Sequence, residues 1–268
     1  MRKYGGSVIH QQHSSDGILE IVQENGVRSM HFGTSSRQSA FLVADPERLQ
    51  LSYVRAMSLG LVFCPQAQNV LMVGLGGGSL TQFLLNHYAA CAMTVIEKRR
   101  DVASASYQYF NLSRDDRMKL LIGDGGAYIE QQARSNTTRF DLLVIDAFDH
   151  RAMAESVRGC DFLSNCREIM TTSGIMVINL WGRDCAAFQE NADNLLQAFD
   201  QRVCFLPVKG RANVIAFCFA AHYPKVVHKI ALKQAQFLER SYNIEMPLFL
   251  KALVKNNSKS ISFLLCKR

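Results

Sequence analysis

Apolar and polar positions alternate between two periods along this chain. From residue 69 onward, short apolar runs are each followed by a stretch of helical spacing. Val70–Val73 reads as a buried strand, and Leu80, Phe83 and Leu84 then fall on one face of a helix. The same alternation predicts strands at Met93–Ile96, Met118–Ile122, Asp141–Ile145 and Ile175–Leu180. Helices are predicted at Asp101–Phe110, Ala127–Ala133 and Asp184–Phe199, with a looser, partly helical region at Ala152–Met170. Val203–Val208 and Val214–Ala220 are joined only by Lys209-Gly210-Arg211, so they form an antiparallel hairpin. Helices at Val226–Tyr242 and Pro247–Val254 follow, and the apolar ISFLLCKR end is expected to pack against the body. Repeated strand–helix units imply a parallel sheet covered by helices on both faces.

The first third of the chain differs. ILEIVQ and VRSMHFG flank Asn25-Gly26, a strong hairpin signal, and SAFLVAD supplies a third strand. Pro46–Leu61 reads as a linking helix. The expected organisation is a polar, frayed tail at 1–17, a small antiparallel β-domain with its linking helix at 18–62, and an α/β domain at 63–268. That domain is a doubly wound, mostly parallel seven-stranded sheet ending in an antiparallel hairpin. Its topology points, by analogy, to S-adenosylmethionine-dependent transferases rather than nicotinamide enzymes.

Composition adds little to this picture. At 268 residues, 48% hydrophobic and 20% charged, the chain has ample core for one large domain and an appendage. It has no run of about 18 apolar residues and no signal-peptide h-region, so a cytoplasmic protein with no membrane contact is expected. The eight cysteines form no C-x-x-C pair. Buried free thiols are expected and a metal site is not. The net charge of +7 resides in residues 221–268, and the rest of the chain balances. A solvated basic face is the plain reading, since no aromatic interleaving supports nucleic-acid binding.

Chemistry gathers at the carboxyl ends of the strands, where open α/β sheets bind ligands. The first strand runs into a loop with Gly74, Gly76, Gly77 and Gly78, which lets backbone approach a ligand and aims a helix N-terminus at it. Glu97 ends the second strand, 19 residues past the loop, where a carboxylate can accept both hydroxyl protons of a ribose. A surface acid paired with Lys98 or Arg99 is the alternative. Asp124, followed by Gly125, ends the third strand and could accept an adenine amine or be a plain turn residue. Asp146 and Asp149 follow the fourth. They could hold a cationic amine and take its proton, or Asp149 could merely cap a helix.

These residues resemble the spermidine/spermine synthase family of aminopropyltransferases over roughly Ile18–Ala220. The resemblance rests on V-L-M-V-G-L-G-G-G-S, V-I-E-K, Y-F-N-L-S-R-D-D-R, G-D-G-G-A-Y and D-L-L-V-I-D-A-F-D, with Gln38 and Tyr53 ahead of the core. It implies a class I methyltransferase-like Rossmann domain carrying an N-terminal β-domain. The implied donor is decarboxylated S-adenosylmethionine, with 5′-methylthioadenosine as the leaving product, a small-molecule amine as acceptor and no tightly bound cofactor. By position, Glu97 is the ribose acid, Asp124 the adenine-side acid, Asp146 the general base and Asp149 an amine-holding acid. Gln38 and Tyr53 contact nucleoside and acceptor. A homodimer is implied as well. Three departures accompany the match. Gly77 stands where the family loop carries an Asp, Arg55 where it carries a Glu, and His150-Arg151 where a D-P continuation is usual. Fewer acids and an added base disfavour a dicationic acceptor. S-adenosylmethionine-dependent methyl transfer and non-catalytic nucleoside binding are the alternatives. An NAD-dependent oxidoreductase is disfavoured by Ser79, where the last glycine of G-x-G-x-x-G should stand.

Overall fold

A computed structural model describes residues 1–135, 137–148, 154–221 and 228–257. Five antiparallel strands come first: β1 (Arg2–Lys3), β2 (Gly6–Ser14), β3 (Gly17–Glu24), β4 (Val27–His31) and β5 (Ser39–Leu42), paired in sequence order. The turn between β3 and β4 is the expected Asn-Gly hairpin, with positive φ at both Asn25 and Gly26. Residues 1–17 are not a frayed tail. β2 pairs with β3 from Ser7↔Gln23 to Ser14↔Gly17, and Tyr4 stacks on His31 at 4.3 Å. Most β2 side chains face solvent, so the strand lacks the apolar alternation that announces one.

Two short helices, α1 (Ser52–Met57) and α2 (Gly60–Phe63), replace the single linking helix expected over Pro46–Leu61. Both pack into the main core with Val70, Met72 and Val177, so the expected boundary at 62/63 falls inside α2. Gly60 lets α2 approach the sheet closely, since a Cβ there would stand 2.9 Å from Val177 Cγ2.

The main domain alternates as the periodicity predicts. Its elements are β6 (Asn69–Val73), α3 (Ser79–His87), β7 (Ala92–Glu97), α4 (Arg100–Tyr109), β8 (Met118–Ile122), α5 (Gly125–Ser135), β9 (Phe140–Ile145), a 3-10 turn at Glu155–Val157, α6 (Cys160–Glu168), β10 (Met170–Trp181), α7 (Cys185–Ala198), β11 (Val203–Pro207), β12 (Asn213–Phe219), α8 (His228–Tyr242) and α9 (Met246–Asn256). The sheet order is β11-β12-β10-β9-β6-β7-β8, parallel except for β12 between β10 and β11. One core lies on each face of this sheet. A third, smaller core joins Leu19, Ile21, Met30 and Phe41 of the N-terminal sheet to Val102, Ala105 and Phe110 of the α4 region. This seam holds the small sheet over the strand ends and creates a cleft of about 1700 Å³. Five of the seven described cysteines are buried, while Cys160 and Cys185 are exposed. Asp149, His150 and Arg151 and the terminal ISFLLCKR lie outside the described residues.

Candidate active site

The cleft is lined by Gln38, Tyr53, Gly74, Gly76, Glu97, Asp124, Gly125 and Asp146. Sequence expectation and structure agree on bringing these eight together. Gly74 is compelled by geometry. It has φ +93, and a Cβ there would meet the Asp146 carbonyl at 2.2 Å, so β6 and β9 could not leave the sheet side by side.

Glu97 is not a surface acid. It is buried, accepting the Leu75 backbone N–H at 2.9 Å and the Arg99 N–H at 2.8 Å, one on each carboxylate oxygen. Burial pushes its carboxyl up, and these N–H donors oppose the shift. Each oxygen keeps a lone pair for a ligand hydroxyl. Asp124 lines the cleft and also caps α5, accepting the Ala127 N–H at 3.0 Å and the Ser156 hydroxyl at 2.7 Å. Burial alone would raise its carboxyl. The two donors and the Lys98 charge outweigh that and hold it below the usual range. Gly125 packs flat on Val73, and Gly126 makes room for the Ser156 carbonyl.

Asp146 lines the cleft immediately after the end of β9. Burial raises its carboxyl, opposed by a hydrogen bond from Asn179 and by the neighbouring Tyr53 phenol, whose hydroxyl donates to the Gln38 carbonyl at 3.4 Å. Asn179 donates at 2.9 Å, and its own carbonyl accepts from Asn213 at 3.0 Å. This relay fixes the Asn179 amide with its N–H₂ toward Asp146. Burial and the Asp146 charge push the Tyr53 phenol far above its usual range, so it remains a hydrogen-bond donor. The carboxylate is therefore desolvated, oriented by the Asn179 amide, and open to the cleft. Such a group suits a general base.

Gly77 is absent from the lining. A Cβ there would stand 2.6 Å from both the Phe110 ring and Ser39 Oγ. The position is therefore filled by the seam beneath the small sheet. Arg55 does not face the cleft either. Its guanidinium pairs with Glu245 at 3.1 Å and donates to the Leu49 and Gln50 carbonyls. The expectation that Arg55 adds positive charge beside the acceptor is corrected, because that charge is neutralised by Glu245, just ahead of α9. Sequence reasoning missed Asn179, Asn213 and Ser156. The first had a signal, as a lone amide inside the apolar run I-M-V-I-N-L-W.

The model of the spermine/spermidine synthase domain matches residues 53–209, more than half of the chain. The chain belongs to the spermine/spermidine synthase family. The polyamine aminopropyltransferase of Chromobacterium violaceum is 28% identical to this member over 248 residues, covering 92% of this chain and 93% of the relative. Such relatives make this spermidine synthase family member a transferase. Human methyltransferase-like protein 13, solved in complex with SAH, is 26% identical with a TM-score of 0.66, covering 72% of this chain and 93% of that one. A spermidine synthase in complex with the transition state analogue AdoDATO gives a TM-score of 0.70 at 16% identity, covering 96% of this chain and 88% of that one. These likenesses confirm the class I methyltransferase-like domain with its N-terminal antiparallel sheet.

Proposed function

We propose that this family member transfers the aminopropyl group of decarboxylated S-adenosylmethionine to a small amine and releases 5′-methylthioadenosine. The observation that carries this reading is the Asp146 carboxylate, desolvated and held by Asn179 in the same cleft as Tyr53, Glu97 and Asp124. In this reading Glu97 accepts the ribose hydroxyls and Asp124 the adenine amine. The backbone of Gly74 and Gly76 lies along the donor, and Gln38 and Tyr53 close the cleft from the side of the small sheet.

An amine with a pKa near 10 arrives protonated. Asp146 takes that proton, and the freed nitrogen lone pair attacks the methylene carbon beside the sulfonium. The C–N bond forms as the C–S bond breaks, and its electron pair neutralises the sulfur. Most of the acceleration comes from in-line positioning within the cleft, with proton removal contributing a further ~10²–10⁴-fold. The cytoplasmic, homodimeric state implied by the family fits this reading. Among the described residues no helix is long and apolar enough to cross a membrane.

One specific observation favours a second reading, methyl transfer from S-adenosylmethionine itself. Gly77 has no room for the carboxylate that would receive a free aminopropyl amine, and the human methyltransferase-like relative was solved with SAH. Calorimetric titration with decarboxylated S-adenosylmethionine, S-adenosylmethionine and methylthioadenosine separates the two, followed by mass analysis of amine products. Aminopropylated product with the decarboxylated donor is expected. Methylated product, or no transfer to any amine, overturns the first reading.

A further inference from the structure

The wall of the cleft beyond Asp146 carries two arginines that the proposed chemistry does not use. On one face of the β10–β12 pair, Asn179 bonds to Asp146 and Asn213 bonds to Asn179. The ladder ends with Trp181 opposite Asn213, and the Gly182 N–H still donates to the Ala212 carbonyl at 2.6 Å. Arg183 and Arg211 come next on the two chains, so this side of the cleft ends in two cations. Arg183 stands four residues beyond Asn179 and two past the end of β10.

Two like charges brought to the same end of an antiparallel pair are unfavourable unless an anion lies between them. Among the described residues neither guanidinium has a carboxylate partner. Arg183 lies over the Trp181 ring at 5.9 Å, and both arginines line the cleft. Asp184, the acid nearest in sequence, is turned to α7, where it accepts the Ala186 and Ala187 N–H groups at 3.1 Å. Arg37, another cation of the lining, differs in being neutralised by Glu24 at 3.2 Å.

Their place in the sheet says which substrate they would meet. Glu97 ends β7 and Asp124 follows β8, both on one side of β9. Arg183 and Arg211 follow β10 and precede β12, on the other. Resting on the aminopropyl-transfer reading, we infer that Arg183 and Arg211 bind a carboxylate on the acceptor. The preferred acceptor is then an amino-acid-type diamine rather than a plain one. Its distal amine reaches Asp146 while its carboxylate lies between the guanidinium groups, and Trp181 covers the carbon chain.

Ornithine and lysine differ from 1,4-diaminobutane and 1,5-diaminopentane only by that carboxylate, so they are the probes. With the full chain saturated in methylthioadenosine, calorimetry is expected to show each amino acid binding at least about tenfold tighter than its plain diamine. Arg183→Gln/Arg211→Gln should erase the ratio, and Arg183→Lys/Arg211→Lys should keep part of it. Retained methylthioadenosine binding shows that the variants are folded. Equal binding of both probe classes to the unmodified protein overturns the inference. So does a loss that appears only between S-adenosylmethionine and its decarboxylated form, which would place the recognised carboxylate on the donor. Absence of aminopropyl product with every amine defeats the reaction assignment, while the binding ratio still judges the arginines.

Discussion

On the proposed reading Asp146 is the base, and its burial costs stability. Its carboxyl is raised by burial, with the Asn179 hydrogen bond and the nearby Tyr53 phenol opposing the shift. Between the ordinary carboxylate value and the raised one, the folded protein holds a proton that the unfolded chain has released. Stability therefore falls as pH rises through that window and stays lowered above it. Asp146→Asn should raise the melting temperature at pH 7, an advantage that vanishes below pH 3, where the parent is neutral at this position too. The same variant should lose about 10²–10⁴-fold in kcat. Unchanged kcat would show that the group is not the base, and a lower melting temperature at pH 7 that its burial does not cost stability. Asn179→Ala removes a donor that favours the charged carboxylate. The acid limb of kcat/KM should move to higher pH, since the base is protonated earlier as pH falls. A limb that stays in place would detach Asn179 from Asp146.

At the scale of elements, the glycine loop shows how a pattern and its surroundings divide the information. The strand–loop–helix unit and the acids ending β7, β8 and β9 were legible because each depends on local period and chain order. What fills the space beside the loop was not legible. Gly77 touches Phe110, which follows α4, and Ser39 of β5, residues 33 and 38 positions away, brought there by the seam under the small sheet. Arg55 misled for the same reason, since its partner Glu245 lies 190 residues on. β2 went unseen because its alternation is polar on both faces. Replacing Gly77 by the family's Asp should therefore not create a better amine site. Gly77→Asp is expected to overpack the seam and cost about 1–3 kcal/mol, read as a lower midpoint in urea. Amine affinity should not improve. If it rises at least tenfold without loss of stability, the seam yields and Gly77 belongs to the cleft after all.

Across the whole molecule, the cleft exists only because the small sheet is held over the strand ends, and β1 and β2 decide whether that sheet is a finished body. Without them β3 becomes an open edge, although Leu19, Ile21 and Val22 are buried in it. Glu20, 1% exposed, would also lose its two partners, the Lys3 ammonium at 2.6 Å and the Tyr4 hydroxyl at 2.7 Å. Burial alone would raise the Glu20 carboxyl, yet these partners hold it below its usual value. With them in place, Glu20 contributes stability above the unfolded carboxylate value, and that contribution is lost as pH falls through the depressed one. Removal of residues 1–14 reverses the sign, because an unpaired buried carboxylate is least favourable when charged. The melting-temperature gap between full-length and shortened chains should be widest near pH 7 and narrow below pH 4. The shortened chain should also self-associate through β3, seen by light scattering. Tyr4→Phe separates the two effects, since it removes one Glu20 partner and keeps β2 in place, so it should lower stability without association. A shortened chain as stable and as dispersed as the full one at pH 7 would show that the five-stranded sheet is dispensable. Binding of methylthioadenosine should fall with it, because Gln38 and Tyr53 reach the cleft only from the side on which this sheet is anchored.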